Sequence, residues 1–331
     1  MGVGVAMAAF VVGAVLSLST SWVLVSRLER VGGRLGFTEG LLGLVAALAA
    51  DAPEITASVT ALVHHQRSVS TGVALGSNVF NLAALLGLGA LVAGRILLHR
   101  RVVVLGGVVA LAAAVISLMC VGGVLPAGAG VALVAVVLGP YVALLAAPRA
   151  VTRKLPARWA AWLTEAVVEE EQEVSPAIDP NRGSARDVWV ALGALVVVVG
   201  ASIAMEQGAV ALGTHFSLSQ IVVGGLLLAA VTSLPNAVAA VYLARRQRGT
   251  ATLSTALNSN TLNAAFGLLL PAALVGLAAP EAPDLLVAWW YLGMTAAALL
   301  LAYFGRGLGR ASGWAMVAGY GLFVVALVAV A

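Results

Sequence analysis

The sequence predicts an all-α polytopic membrane protein, in which ten transmembrane helices form a 5+5 inverted-topology repeat. Three observations support this prediction. The chain has 331 residues, of which 61% are hydrophobic and only 10% are charged, whereas soluble domains carry about 25% charged residues. Apolar runs of about 20 residues, long enough to span a bilayer, recur along the chain. A polar motif also occurs twice, and its two copies are 182 residues apart.

Ten apolar segments define the predicted spans, with five on each side of a long central loop. Their predicted bounds are 3–25, 38–63, 69–94, 102–121, 127–147, 187–206, 218–244, 249–276, 284–304 and 312–331. The basic residues support this number of spans. Of the 18 Lys and Arg residues, 17 fall in the odd-numbered loops, and only Arg67 lies in an even-numbered one. A wrong number of spans would have mixed the two sets of loops.

This charge pattern also predicts the orientation. The positive-inside rule places the odd-numbered loops in the cytoplasm and both termini outside. Because five is odd, the second half enters the membrane with the opposite orientation, which makes the repeat an inverted one. We expect a first five-helix repeat at 1–147, a cytoplasmic linker with an interfacial amphipathic helix at 148–186, and a second repeat at 187–331. The expected location is a prokaryotic cell (inner) membrane.

The repeated motif interrupts long apolar sequence with prolines, acids and amides. The first copy reads A-D-A-P-E at 50–54 and G-S-N-V-F-N at 76–81. The second copy reads T-S-L-P-N at 232–236 and N-S-N-T-L-N at 258–263. Matching interruptions in two inverted halves are typical of transporters that bind their substrate near the membrane midplane. We therefore expect broken helices in spans 2, 3, 7 and 8.

The acidic residues indicate where ions could bind. Of the 14 Asp and Glu residues, twelve are assigned to loops or span ends, among them Glu206. Only Asp51 and Glu54 are expected deep in the membrane. They lie three residues apart and therefore share one helix face, and Pro53 leaves the carbonyl at position 49 without its usual donor. Such oxygens suit Na⁺, Ca²⁺ or H⁺. A structural role, in which the pair faces a water-filled crevice or caps a broken helix, is the alternative.

Hydroxyl and amide groups follow the same repeat. Ser77 and Asn81 share a face of span 3, and Ser259 and Asn263 repeat this arrangement in span 8. Their oxygens could complete the coordination of a cation, or they could form hydrogen bonds between helices.

These motifs resemble the two α-repeats of the sodium/calcium exchanger (calcium/cation antiporter) superfamily, whose pattern is roughly G-T-S-x-P-E followed by G-S-N-x-F-N or G-S-N-x-x-D. The resemblance implies a cation antiporter that works by alternating access. It also implies a set of coordinating positions, which are Glu54, Ser77, Asn81, Thr232, Ser233, Ser259 and Asn263.

Two positions depart from the family pattern. Asn236 stands where the second repeat usually has glutamate, and Asp51 stands where the first repeat usually has serine. Both acids therefore come from one repeat. We hypothesise that Asp51 supplies the charge that is missing at Asn236, so that both residues belong to the cation site.

The expected function is exchange of Ca²⁺ or a similar cation against Na⁺ or H⁺. One alternative is a Na⁺/H⁺ exchanger with no Ca²⁺ step, and another is a channel or a transport-inactive membrane binding protein. An enzyme is not expected, because the two acids lie on one helix and no basic residue accompanies them. We expect no cofactor. The expected partners are inorganic cations and the lipid bilayer, and no feature indicates a nucleic acid or a protein partner.

Overall fold

Helices account for most of the computed structural model, which describes residues 1–174, 183–277 and 279–331. The α-helices are α1 (Val3–Leu35), α2 (Glu39–Ala50), α3 (Ala52–Val63), α4 (Arg67–Asn81), α5 (Gly89–Ala93), α6 (Arg100–Val121), α7 (Ala127–Ala146), α8 (Pro148–Thr152), α9 (Ala157–Val174), α10 (Ala185–His215), α11 (Gln220–Val222), α12 (Ala229–Thr232), α13 (Leu234–Arg245), α14 (Gly249–Leu262), α15 (Leu270–Val275), α16 (Ala282–Gly305) and α17 (Arg310–Val330). Within the described residues, three π-helical segments join some of these helices, namely π1 (Leu82–Leu88), π2 (Val223–Leu228) and π3 (Asn263–Leu269). Strands β1 (Arg95–Leu97) and β2 (Gly307–Gly309) form one short antiparallel pair.

Many of the helices are suited to a membrane. Among the described residues, seven helices are long and apolar enough to cross one, and the number rises to nine if each of two bent helix pairs is one span. The helical run 249–275 lies at the predicted eighth span but is not among these. Its serine, threonine and asparagine residues make it less apolar than the others. Part of the predicted linker, 175–182, lies outside the described residues.

The two bent pairs contain the first half of each repeated motif. Helices α2 and α3 meet at 49°, and the run 220–232 meets α13 at 47°. Pro53 and Pro235 lie in the first turn of the helix after each bend. Proline is tolerated there because the N–H groups of the first turn make no hydrogen bond within the helix. Asp51 and Ser233 occupy the two bends with nearly equal backbone angles, φ −81°, ψ −2° and φ −82°, ψ 0°. The two copies therefore share local geometry as well as sequence.

The second half of each motif leads into a π-helical segment, and spans 3 and 8, which were expected to be broken, run on as the helical stretches 67–93 and 249–275. Segment π1 directly follows Asn81, and π3 begins at Asn263. Such segments change the helical repeat locally and are frequent at functional sites. Here they place a turn of irregular hydrogen bonding next to the asparagines that the sequence singled out.

Helices α1 and α10 extend further than predicted, to Leu35 and His215. They pack along each other, because small residues let their backbones approach. A Cβ atom on Gly208 would lie 2.6 Å from the backbone nitrogen of Phe10. This contact accounts for part of the extra length of α10, since it buries residues such as Gly208 and Ala209 that the hydropathy pattern assigns to a loop.

Helix α9 docks against the membrane helices through charge and apolar contact. The Arg101 guanidinium lies 2.5 Å from the Glu165 carboxylate and 2.7 Å from that of Glu169. Ala166 and Val167 are buried. The predicted helix in the linker is thus present, while its place at a membrane interface stays a prediction.

Candidate cation site

The candidate site is built where the two bends meet α4 and α14. The nine residues singled out from the sequence are all almost fully buried, namely Asp51, Glu54, Ser77, Asn81, Thr232, Ser233, Asn236, Ser259 and Asn263. Asp51 is 0% exposed and Glu54 is 1% exposed. A buried carboxylate is costly unless it is hydrogen-bonded, protonated or bound to a cation, so the partners of these two acids decide what the site can do.

Asp51 is held by the second copy of the motif. Its Oδ1 atom accepts hydrogen bonds from the Asn236 amide at 2.7 Å and from the Ser259 hydroxyl at 2.7 Å. The same Asn236 amide nitrogen lies 3.5 Å from Glu54 Oε1. Asn236 and Ser259, which lie 185 and 208 positions after Asp51, thus share one of its carboxylate oxygens. The two acids of the first repeat and the amide of the second form one cluster.

Asn81 extends this cluster toward α14. Its amide nitrogen donates to the Ser259 hydroxyl at 3.1 Å and to Asn260 Oδ1 at 3.2 Å. A neighbouring pair reflects the internal symmetry: the Asn78 amide donates to the Asn260 carbonyl at 2.9 Å, and the Asn260 amide donates to the Asn78 carbonyl at 3.1 Å. This reciprocal bridge holds α4 against α14 beside the carboxylates.

Several buried oxygens of the cluster have no hydrogen-bond partner among the described residues. They are Asp51 Oδ2, Glu54 Oε2, Ser77 Oγ, Asn78 Oδ1, Asn81 Oδ1, Ser233 Oγ and Asn263 Oδ1. The Ser233 hydroxyl lies near Glu54 without reaching hydrogen-bond geometry. Buried oxygens without donors are expensive. Carboxylate, hydroxyl and amide oxygens are also the ligands that hard cations prefer.

The members of the predicted set differ in how closely the structure brings them together. Hydrogen bonds join Asp51, Asn81, Asn236 and Ser259, with Glu54 at the edge of this network. The Thr232 hydroxyl instead donates to the Leu228 carbonyl of its own helical turn at 3.0 Å. Ser77 and Asn263 are buried on the flanking helices, and no hydrogen bond among the described residues joins them to either acid.

The carbonyl that Pro53 frees receives a hydrogen bond from another helix. The Ser21 hydroxyl of α1 donates to the Ala49 carbonyl at 3.2 Å. The sequence could not indicate this partner, because a serine in an apolar helix has many possible neighbours.

Two further polar residues were missed. Tyr141 of α7 donates to Asn258 Oδ1 at 3.1 Å, next to Ser259, and its only sequence signal is a phenol in an otherwise apolar helix. Glu206 was assigned to a span end, and that assignment was wrong. The residue lies inside α10 and is 0% exposed. The residues that follow it, 207–213, carry no charge and are mostly small or apolar, and this continuation was the available signal.

Comparison with known proteins identifies the family. The profile described as sodium/calcium exchanger protein matches residues 5–147 and again residues 187–329. The chain belongs to this family. The two matched ranges start at 5 and 187 and end at 147 and 329, so both ends are offset by 182 residues, as the motif is. Sodium/calcium exchanger proteins are transporters, so membership supports a cation antiporter and is consistent with a protein that is not an enzyme.

Individual relatives agree with this membership. The chain is 25% identical over 280 residues to the inner membrane protein YrbG of Escherichia coli (strain K12), covering 81% of this chain and 79% of YrbG. Its fold is similar to that of the sodium-calcium exchanger NCX_Mj soaked with Na⁺ and Sr²⁺, with a TM-score of 0.62, 21% identity and coverage of 98% and 99% of the two chains. It is also similar to native YfkE, with a TM-score of 0.65, 15% identity and coverage of 99% and 97%. These comparisons support an integral membrane protein with the exchanger fold.

Proposed function

We propose that this member of the family exchanges Ca²⁺ or a similar cation against Na⁺ or H⁺ by alternating access. The cation binds at the buried cluster, with Glu54 and Asp51 as its charged ligands. Neutral ligands come from the remaining predicted residues, which are Ser77, Asn81, Thr232, Ser233, Asn236, Ser259 and Asn263.

The observation that carries this proposal is the shared use of Asp51. One of its oxygens is bonded by Asn236 and Ser259 of the second repeat, while its other oxygen has no partner among the described residues. A cation bound to that free oxygen therefore lies between the two repeats. Occupation of the site is then coupled to their relative position, which is what alternating access requires.

The proposal includes the arrangement of the whole chain. Each bent helix pair is one span, and the run 249–275 is a further span, which together give five spans in each repeat. The segment 148–186 is the cytoplasmic linker between the repeats 1–147 and 187–331. Both termini are outside, and the membrane is that of a prokaryotic cell.

Na⁺/H⁺ exchange without a Ca²⁺ step is the second candidate. It is favoured by the uneven charge of the cluster, since both acids come from the first repeat and Asn236 contributes a neutral amide. A divalent ion gains most from charged ligands distributed around it. A monovalent cation or a proton needs fewer.

Flux measurements separate these candidates. Purified protein in proteoliposomes receives imposed Na⁺, Ca²⁺ and pH gradients, with labelled ions and an internal pH dye as readouts. Ca²⁺ uptake that requires outward Na⁺ or H⁺ movement supports the first candidate, and Na⁺-driven proton movement without Ca²⁺ uptake supports the second. Ion movement that needs no counter-ion indicates a channel and contradicts both candidates. The absence of any flux also contradicts both.

A further inference from the structure

Glu206 is a further fully buried acid, outside the candidate cation site. Its side chain is 0% exposed in the interior of α10. Neither Oε1 nor Oε2 has a hydrogen-bond partner among the described residues. An ionised carboxylate in such a place would have lost its hydration without any replacement. The residue therefore needs a ligand that neutralises it.

The position of Glu206 on α10 defines its surroundings. Ser202, one turn earlier on the same helix face, has its hydroxyl 2.7 Å from that of Ser17 on α1. Gly213, two turns later, lies against Val223 of π2. Glu206 thus lies in the seam where α10 packs on α1, α3 and π2.

The residues along this seam are almost all apolar. The neighbouring Met205 and Ala209 belong to a buried cluster with Ala57 and Ala61 of α3 and Val223 of π2. Ala57 lies one turn beyond Glu54 on α3. The seam therefore borders the candidate cation site at one end and continues toward the far end of α3.

Few charged groups belong to the elements that pack on Glu206. Helix α1 carries its charged residues beyond position 26, at its far end. Helix α3 carries Glu54, with Asp51 at its start and His64 at its end, and π2 has no charged residue. On α10 itself, Arg186, Asp187 and His215 are at the two ends. Burial, and not an ion pair, therefore determines the state of Glu206.

We propose that Glu206 is a proton-binding site, separate from the cation site and one seam away from it. A metal ion is a poor ligand here, because Na⁺ or Ca²⁺ needs about six oxygens and the seam offers one carboxylate among apolar side chains. A proton needs a single oxygen and removes the charge completely. Glu206 binds it as a neutral carboxylic acid and releases it when water enters the seam.

The consequence for transport rests on the proposed function, whereas the proton site itself does not. If the chain is an antiporter, Glu206 gives protons a binding position along α3, between the cation site and the end of the helix near His64. Proton binding then influences exchange without occupying the oxygens that bind the cation.

Infrared spectroscopy of the purified full-length protein tests the proton site directly. A protonated carboxylic acid has a C=O stretching band that a carboxylate lacks. The band of Glu206 is isolated in the wild-type minus Glu206→Gln difference spectrum, because the other buried acids, such as Asp284, are common to both proteins. This difference spectrum should contain a protonated-acid band, whereas the wild-type minus Glu281→Gln spectrum, from a matched substitution of an exposed glutamate, should not.

The outcomes separate this proposal from the proposed function. A wild-type minus Glu206→Gln difference spectrum without a protonated-acid band overturns the proton site whatever the flux assay shows. Where exchange occurs, the apparent cation affinity at high pH exceeds that at low pH by some ratio. This ratio should be smaller in Glu206→Gln by about fivefold or more, a typical coupling between sites. An unchanged pH dependence contradicts the role in transport. If Glu206→Gln fails to fold, Glu206→Asp must shift the frequency of the band.

Discussion

Glu54 is a buried carboxylate with few hydrogen-bond partners. It is 1% exposed, and its Oε2 atom has no partner among the described residues. Replacement of this acid by an amide of the same shape removes the charge and leaves the volume almost unchanged. The residue thus allows a separation of ion binding from stability.

We expect Glu54→Gln to abolish exchange without unfolding the protein. Loss of one partner from a buried charged contact costs about 3–5 kcal/mol, so cation affinity should fall by about 100-fold or more. Folding should not suffer, since an expensive desolvated charge has been removed. Ion flux in proteoliposomes and thermal unfolding in detergent measure the two effects, with Glu281→Gln as the exposed control. Wild-type transport by Glu54→Gln would exclude this site.

Asp51 and Asn236 can be tested as a compensating pair, because they are in direct contact at 2.7 Å. Asp51→Ser should weaken Ca²⁺ binding more than Na⁺ binding, since one acid remains. The double change Asp51→Ser with Asn236→Glu restores an acid on each repeat and should recover Ca²⁺ affinity. Calorimetric titration of the four proteins forms a double-mutant cycle. Compensation is disproved if the double mutant binds Ca²⁺ no better than Asp51→Ser.

The same pair predicts a dependence on pH. Protons and cations compete for the carboxylate oxygens of Asp51 and Glu54, so protonation at low pH weakens cation binding. Apparent affinity should therefore improve as the pH rises from about 5 to 9, the range in which shifted carboxylates titrate. The dependence should be weaker in Asp51→Ser, which has one acid fewer. Equal affinity at every pH in the wild-type protein would contradict the competition.

At the scale of elements, glycines allow α4 to approach π2. Gly76 precedes Ser77 in the motif, and a Cβ atom at Gly76 would lie 2.6 Å from the Gly225 carbonyl oxygen and 2.7 Å from the Gly225 Cα atom. Backbone atoms cannot move aside as a flexible side chain can. The helix that carries Ser77, Asn78 and Asn81 is therefore positioned by this contact.

Gly76→Ala should push α4 away from π2 and destabilise the protein by about 1–3 kcal/mol, the usual cost of overpacking. Transport should slow as well, because Asn81 would move relative to Ser259. Gly193→Ala on α10 is the matched control, since a Cβ there has no atom within 4 Å. Thermal unfolding in detergent compares the two variants. If Gly76→Ala is as stable as Gly193→Ala, the close approach does not position α4.

At the scale of the whole molecule, the basic residues predict which loops face the cytoplasm. Cysteine labelling can test this, because Cys120 is the only native cysteine and is buried. Leu155→Cys in the linker and Ser217→Cys after α10 introduce labels at two exposed residues. An impermeant reagent on intact cells should label Ser217→Cys, and should reach Leu155→Cys only after the membrane is opened. The opposite result would reverse the proposed orientation.

The sequence alone determined the class of the protein, its family and most of its helices. Long apolar runs fold as helices in a bilayer because every backbone group must be hydrogen-bonded within the segment. The bends at Asp51 and Ser233 were also accessible, since proline removes a helical donor wherever it occurs. The repeat singled out Glu54, Ser259 and the other candidate residues, because polar groups are too costly in a membrane to be placed without partners.

The tertiary structure decided which of those residues meet. Hydropathy does not encode that Asn236 and Ser259 would share one oxygen of Asp51, or that the Thr232 hydroxyl would bond its own helix. The hydropathy pattern also placed Glu206 at a helix end, because a hydropathy average over a window of residues falls at an acid and suggests that the span ends there. Glu206 is buried instead because α10 continues along α1 and α3, and such contacts join residues that are distant in the chain.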